Sequence, residues 1–132
     1  MITESHKDIR VLIVDDSSFM RKVLETILAS DESVHVVGHA KDGREAVRLA
    51  ESLKPDVITM DINMPIMDGL EFVKQLAGVS NAKGVPVVMI TTEGSESHVV
   101  QALSSGARGY IRKPFTADQV KEHVLPVLAV KT

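Results

Sequence analysis

The amino-acid sequence predicts a doubly wound α/β sandwich, a parallel sheet with helices on both faces, and three observations carry the prediction. Short apolar runs rich in β-branched residues recur without polar alternation, as in strands covered on both sides. Segments with helical spacing of apolar residues lie between them. A residue able to cap free amide groups stands just before each helical segment. Strand and helix alternate five times, and right-handed crossovers between parallel strands are the packing such alternation allows.

The first strand is the run at 11–14, Val-Leu-Ile-Val, and Ser17 or Ser18 caps a helix marked by Val23, Leu24, Ile27 and Leu28. A weaker strand at 34–37 is followed by Asp42 and a helix marked by Ala46, Val47, Leu49, Ala50 and Leu53. The third strand, 57–60, leads to Asp68 and a helix through Leu70, Val73, Leu76 and Ala77. The fourth, 85–90, leads to Ser95 and a helix through Val99, Val100 and Leu103. A short fifth strand, 109–111, precedes Thr116 and the last helix, which Pro126 should kink or stop near Leu125. One domain over 9–129 is expected, with 1–8 a flexible N-terminal segment.

A chain of 132 residues is one ordinary domain with room for a real core. Hydrophobic residues at 44% and charged ones at 25% fit a globular protein. The net charge of -3 offers no basic surplus, so nucleic-acid binding is not expected. The absence of cysteine excludes disulfides, zinc-thiolate sites and thiol nucleophiles. No apolar run approaches the roughly 20 residues of a spanning helix, so no membrane insertion, a monomer and a cytoplasmic location are the expectations.

Ligands of open parallel sheets bind outside the carboxyl ends of the strands. Asp15 and Asp16 follow the first strand there, and Asp61 follows the third, with Asn63 close behind. Converging carboxylates repel one another, and a divalent cation resolves the conflict. With oxygen donors alone on offer, magnesium is the metal expected and manganese its substitute. Thr91 ends the fourth strand with a hydroxyl, and Lys113, just before Pro114, can extend an ammonium group to the same edge. Taken singly, the Asp pair is a cap and a turn acid, Thr91 a strand residue and Lys113 a surface lysine. Their convergence on one edge is what gives them chemical meaning.

Other chemistries fit less well. Aromatics make up 3% of the chain, with no Trp and no Gly-rich phosphate loop, which argues against a flavin or a nucleotide. A two-aspartate phosphohydrolase would need Asp-x-Asp after the first strand and a cap domain. Of the five histidines, His6, His35, His39, His98 and His123, only His35 and His39 stand at strand spacing. Four apart in one strand, they should point the same way yet lie too far apart to share a metal. Surface histidines are the expectation.

Val11-Leu12-Ile13-Val14-Asp15-Asp16, Asp61-Ile62-Asn63-Met64-Pro65-Ile66-Met67-Asp68-Gly69, Ile90-Thr91-Thr92 and Lys113-Pro114-Phe115 together resemble, in order and spacing, the receiver domains of bacterial response regulators. The resemblance covers nearly the whole chain. It implies a flavodoxin-like five-stranded sheet in the order 2-1-3-4-5 with five helices. It also implies Asp61 as phosphoacceptor, magnesium held by Asp16, Asp61, the Asn63 carbonyl and, through water, Asp15, and phosphoryl oxygens bound by Thr91 and Lys113. A cis peptide before Pro114 is implied, with Asn63 and Glu93 controlling the hydrolytic water. Thr91 and Tyr110 would form the switch, read out on the fourth helix, fifth strand and fifth helix at 95–105, 110–112 and 116–125. The phosphodonor would be a histidine kinase and the output a downstream protein, the chain catalysing only its own phosphorylation and dephosphorylation. The stretches 16–21 and 113–116 are most similar to single-domain chemotaxis regulators, implying the flagellar motor switch as target. The alternative is the receiver of a larger regulator with a DNA-binding or enzymatic output domain.

Overall fold

The apolar runs become five parallel strands of one sheet, in the order β2-β1-β3-β4-β5. A computed structural model describes residues 8–61, 69–76, 78, 85–91, 100, 104, 109–112 and 116–120. Along the chain come β1 (Ile9–Val14), α1 (Ser18–Ala29), β2 (Val34–Ala40), α2 (Gly43–Leu53), β3 (Val57–Asp61), α3 (Gly69–Leu76), β4 (Val87–Thr91) and β5 (Gly109–Arg112). Of the last two expected helices, Val100, Ser104 and residues 117–120 are helical. The expected caps Asp68 and Ser95, the bend at Pro126 and seven residues of the 1–8 segment lie outside the described residues.

Side-chain parity shows why the helices settle on both faces. Val11, Ile13, Val57, Val88, Ile90 and Ile111 pack with Leu24 and Leu28 of α1 and with Val120. Their strand neighbours Leu12, Val14, Ile58, Met60, Val87 and Met89 pack with Ala46 and Ala50 of α2 and Phe72 and Leu76 of α3. Alternate residues of a strand face opposite ways, so one continuous apolar run supplies both layers.

The helix starts are held by side chains. Ser17, rather than Ser18, caps α1 by accepting from the Met20 amide at 3.1 Å. Asp42 accepts from the Glu45 amide, while the Glu45 carboxylate accepts from the Lys41 amide, each at 2.9 Å. Thr116 and Gln119 form a reciprocal capping box, with bonds of 3.1 and 3.0 Å. At the other end of the sheet, the Arg10 amide donates to the Asp56 carboxylate at 2.9 Å, the Asp56 amide donates to the Arg10 carbonyl at 2.7 Å, and Arg10 Nη2 donates to the Leu53 carbonyl, tying β1 to the α2–β3 connection.

The pairing of β2 corrects one expectation. Val36 is the partner of Val11, but Gly38 is the partner of Leu12, so Val37 is an extra residue in the edge strand. Val34 and Val36 therefore face α1, whereas Ala40 packs on the α2 side. His35 and His39 consequently point to opposite faces of the sheet, because the bulge inverts the alternation between them. His39 meets Glu25 of α1 at 2.9 Å and is partly buried, and the exposed His35 lies 3.2 Å from Asp8.

Thr59 stands out within the core. It is fully buried, its backbone partners are Ile13 and Val88, and its hydroxyl has no hydrogen-bond partner among the described residues. An unsatisfied buried hydroxyl costs about 1–3 kcal/mol. Thr59→Val, which preserves the branched shape, is expected to raise stability by roughly 1–2 kcal/mol, measured as a higher urea midpoint with unchanged slope.

Candidate functional site

The site forms where β1 and β3 end side by side. Asp15 leaves β1 with its amide donating to the Ala40 carbonyl at 3.0 Å, and Asp61 is the last residue of β3. Asp15 is 1% exposed and Asp61 7%, while Asp16 is open to solvent. One carboxylate oxygen from each of the three lies within 4.8 Å of the others. Sequence reasoning thus places all three acids at the edge where the structure gathers them.

The turn from β1 into α1 holds these acids in place. Asp15 Oδ1 accepts from the Ser17 amide at 2.9 Å, and the Asp15 carbonyl accepts from Arg21 Nη1 at 2.6 Å. Ser17 caps α1 directly beside the cluster, so the positive end of the helix dipole adjoins the acids. In the sequence Arg21 stands only as the last residue of the stretch 16–21, with no role at the site. The available signal was a basic residue three and seven positions before Leu24 and Leu28, on the helix face those leucines bury.

Three carboxylates suit a hard divalent cation. Oxygens around magnesium sit about 2.1 Å from the ion, hence roughly 3–4 Å from one another. A group of oxygens within 4.8 Å fits such an ion through direct contacts and one intervening water, and the exposed Asp16 side leaves room for retained water. These donors fit magnesium, with manganese an acceptable replacement.

Thr91 ends β4, where it follows Ile90, the backbone partner of Asp61. Its backbone is thus beside the acids as expected. Tyr110 pairs with Met89 in the edge strand and is 42% exposed. Asn63, Glu93, Lys113 and the Lys113–Pro114 peptide lie outside the described residues, as does the Thr91 side chain. Among the described residues no helix is long and apolar enough to cross a membrane.

The sheet order and the acids at its carboxyl edge define a flavodoxin-like α/β protein whose site lies at the switch point of the sheet. Within that class, residues 11–125 match the model of the response regulator receiver domain, and the chain belongs to that family. It is 51% identical over 109 residues to the protein-glutamate methylesterase/protein-glutamine glutaminase of Methanococcus maripaludis, across 80% of this chain and 29% of that protein. It is 41% identical to the chemotaxis protein CheY of Listeria monocytogenes, across 86% of this chain and 93% of that one. The response regulator domain of Thermotoga maritima CheB superposes with a TM-score of 0.74 at 43% identity, covering 95% of this chain and 93% of that one. The chain spans about three-tenths of the length of the methylesterases it matches.

Proposed function

We propose that this receiver is switched by transfer of a phosphoryl group from a histidine kinase to Asp61. The observation that carries the reading is the position of Asp61, at the end of a buried strand and within 4.8 Å of two further carboxylates. An Asp61 oxygen attacks phosphorus as the bond to the donor imidazole nitrogen breaks, leaving an acyl phosphate and a neutral histidine. Asp16, Asp61, the Asn63 carbonyl and, through water, Asp15 would hold magnesium, which when bound would supply charge neutralisation for the transferring group. Thr91 and Lys113 bind its oxygens, and Asn63 and Glu93 govern the water that later removes it.

Thr91 then follows the phosphoryl group, Tyr110 turns inward, and the surface at 95–105, 110–112 and 116–125 changes its affinity for a downstream protein. The 42% exposure of Tyr110 supports an outward member of that pair of states, and phosphorylation would shift the population between them. Residues 9–129 act as one unit in the cytoplasm, with 1–8 a short N-terminal segment. The similarity to the chemotaxis protein CheY of Listeria monocytogenes favours an output in chemotaxis, and the flagellar motor switch is the target proposed for it. A second reading, favoured by the 51% identity to a methylesterase, is a receiver controlling an attached enzymatic domain.

The test is intact-mass spectrometry after incubation with acetyl phosphate and MgCl2. The native chain is expected to gain one phosphoryl group with MgCl2 and none with EDTA. Equal gain in both conditions removes the metal from the mechanism, and no gain in either removes the phosphoacceptor reading.

A further inference from the structure

Asp16 is the one member of the acidic group left to solvent, and its carboxylate makes no hydrogen bond among the described residues. What the fold sets for it is the Cα–Cβ bond from which the carboxylate projects, and that bond follows the backbone. The peptide plane between Asp15 and Asp16 carries the Asp15 carbonyl at one end, and a planar peptide turns as a unit. Arg21 Nη1 donates to that carbonyl at 2.6 Å from the first turns of α1. The Arg21 amide is bonded in turn to the Ser17 carbonyl at 3.0 Å, so the donor's own backbone is fixed to the capping residue.

We infer that Arg21 is a positioning residue for the metal site: by holding the Asp15 carbonyl it fixes the peptide plane from which the Asp16 carboxylate projects. The inference rests on the reading of the acidic group as a divalent-cation site.

Two effects of Arg21 on metal binding have opposite signs, and this makes the role testable. A guanidinium is always charged, so as a nearby cation it repels magnesium, and its removal would tighten binding. As a clamp it places an oxygen ligand, and its removal would weaken binding. The buried setting favours the clamp: the Nε atom is buried with no partner among the described residues, while Nη1 keeps its bond to the carbonyl. A side chain serving as a diffuse surface charge would leave its fork in water. This one has its Nε withdrawn from solvent and Nη1 committed to one backbone oxygen.

The experiment is an NMR titration of the full chain with MgCl2, following the amides of residues 15–17. Arg21→Met, which keeps the stem and loses the donors, is expected to weaken magnesium binding about tenfold or more, the usual size for loss of a group that orients a ligand. Arg21→Lys, with one shorter-reaching donor, should fall between. In an Asp16→Asn background the methionine change should cost little further, because the ligand it positions is already impaired. Unchanged or tighter binding by Arg21→Met overturns the inference, as does an undiminished loss in the Asp16→Asn background. Should the methionine variant fail to fold, as judged by thermal melting in EDTA, the lysine variant decides: a binding curve identical to the native one overturns the role. Failure of the native chain itself to respond to MgCl2 overturns the metal site, and the native arm alone reveals that outcome.

Discussion

Asp61→Asn is expected to gain no phosphoryl mass from acetyl phosphate and MgCl2 under conditions that fully label the native chain. Asparagine has the shape of aspartate, and position 61 lies at the sheet edge rather than inside either apolar layer, so the fold should persist. What is lost is the anionic oxygen that attacks phosphorus, and an amide is not a nucleophile toward a phosphoryl group. Every other carboxylate remains, including Asp15 and Asp16 within 4.8 Å of the changed side chain. The variant therefore separates the acceptor from its neighbours. Equal labelling of the variant, with peptide mapping that places the group elsewhere, would remove Asp61 from the role.

Phe72→Ala should produce the largest loss of stability. Phe72 is a fully buried side chain of α3, packed in the layer that contains Leu12, Val14, Ile58, Met60 and Met89. Truncating a buried Phe costs about 3–5 kcal/mol, through lost burial and the cavity left behind. Native domains carry roughly 5–15 kcal/mol in total, so this one change consumes a large fraction of the reserve. Urea denaturation is expected to show a much lower midpoint with a nearly unchanged slope. A shift below about 1 kcal/mol would mean that neighbouring side chains close the cavity, against the close packing of protein interiors.

Much of the fold was legible because its signals are local and repeated. Residues 11–14 and 57–60 are apolar without a break, a pattern that leaves a strand few options other than the middle of a parallel sheet. Both are flanked by strands on each side. Asp42 and Thr116 cap as their residue types suggest. The acids were legible because topology brings strand ends together whatever lies between them, so Asp15, Asp16 and Asp61 could be grouped across more than forty positions of sequence. Arg21 was not legible, since its bond to a backbone carbonyl depends on how α1 sits over the sheet. The faces of His35 and His39 are hidden from the sequence for a related reason. Nothing in Val-His-Val-Val-Gly-His-Ala announces that one residue is supernumerary, and only the pairing with β1 discloses it. A Cβ at Gly38 would come within 2.6 Å of Leu53 Cδ1, so that glycine reflects close approach of α2.

The extra residue in β2 has a consequence for the molecule's solubility. β2 is an outermost strand, and an outermost strand offers unpaired amides and carbonyls to any passing chain. A newcomer with a regular two-residue repeat could match β2 up to Val36 or from Gly38 onward, but not across Val37, where the repeat slips. Growth of the sheet from one molecule into the next would stall there. The same slip that seats Ala40 against α2 thus keeps this margin of the protein from serving as a template for self-association.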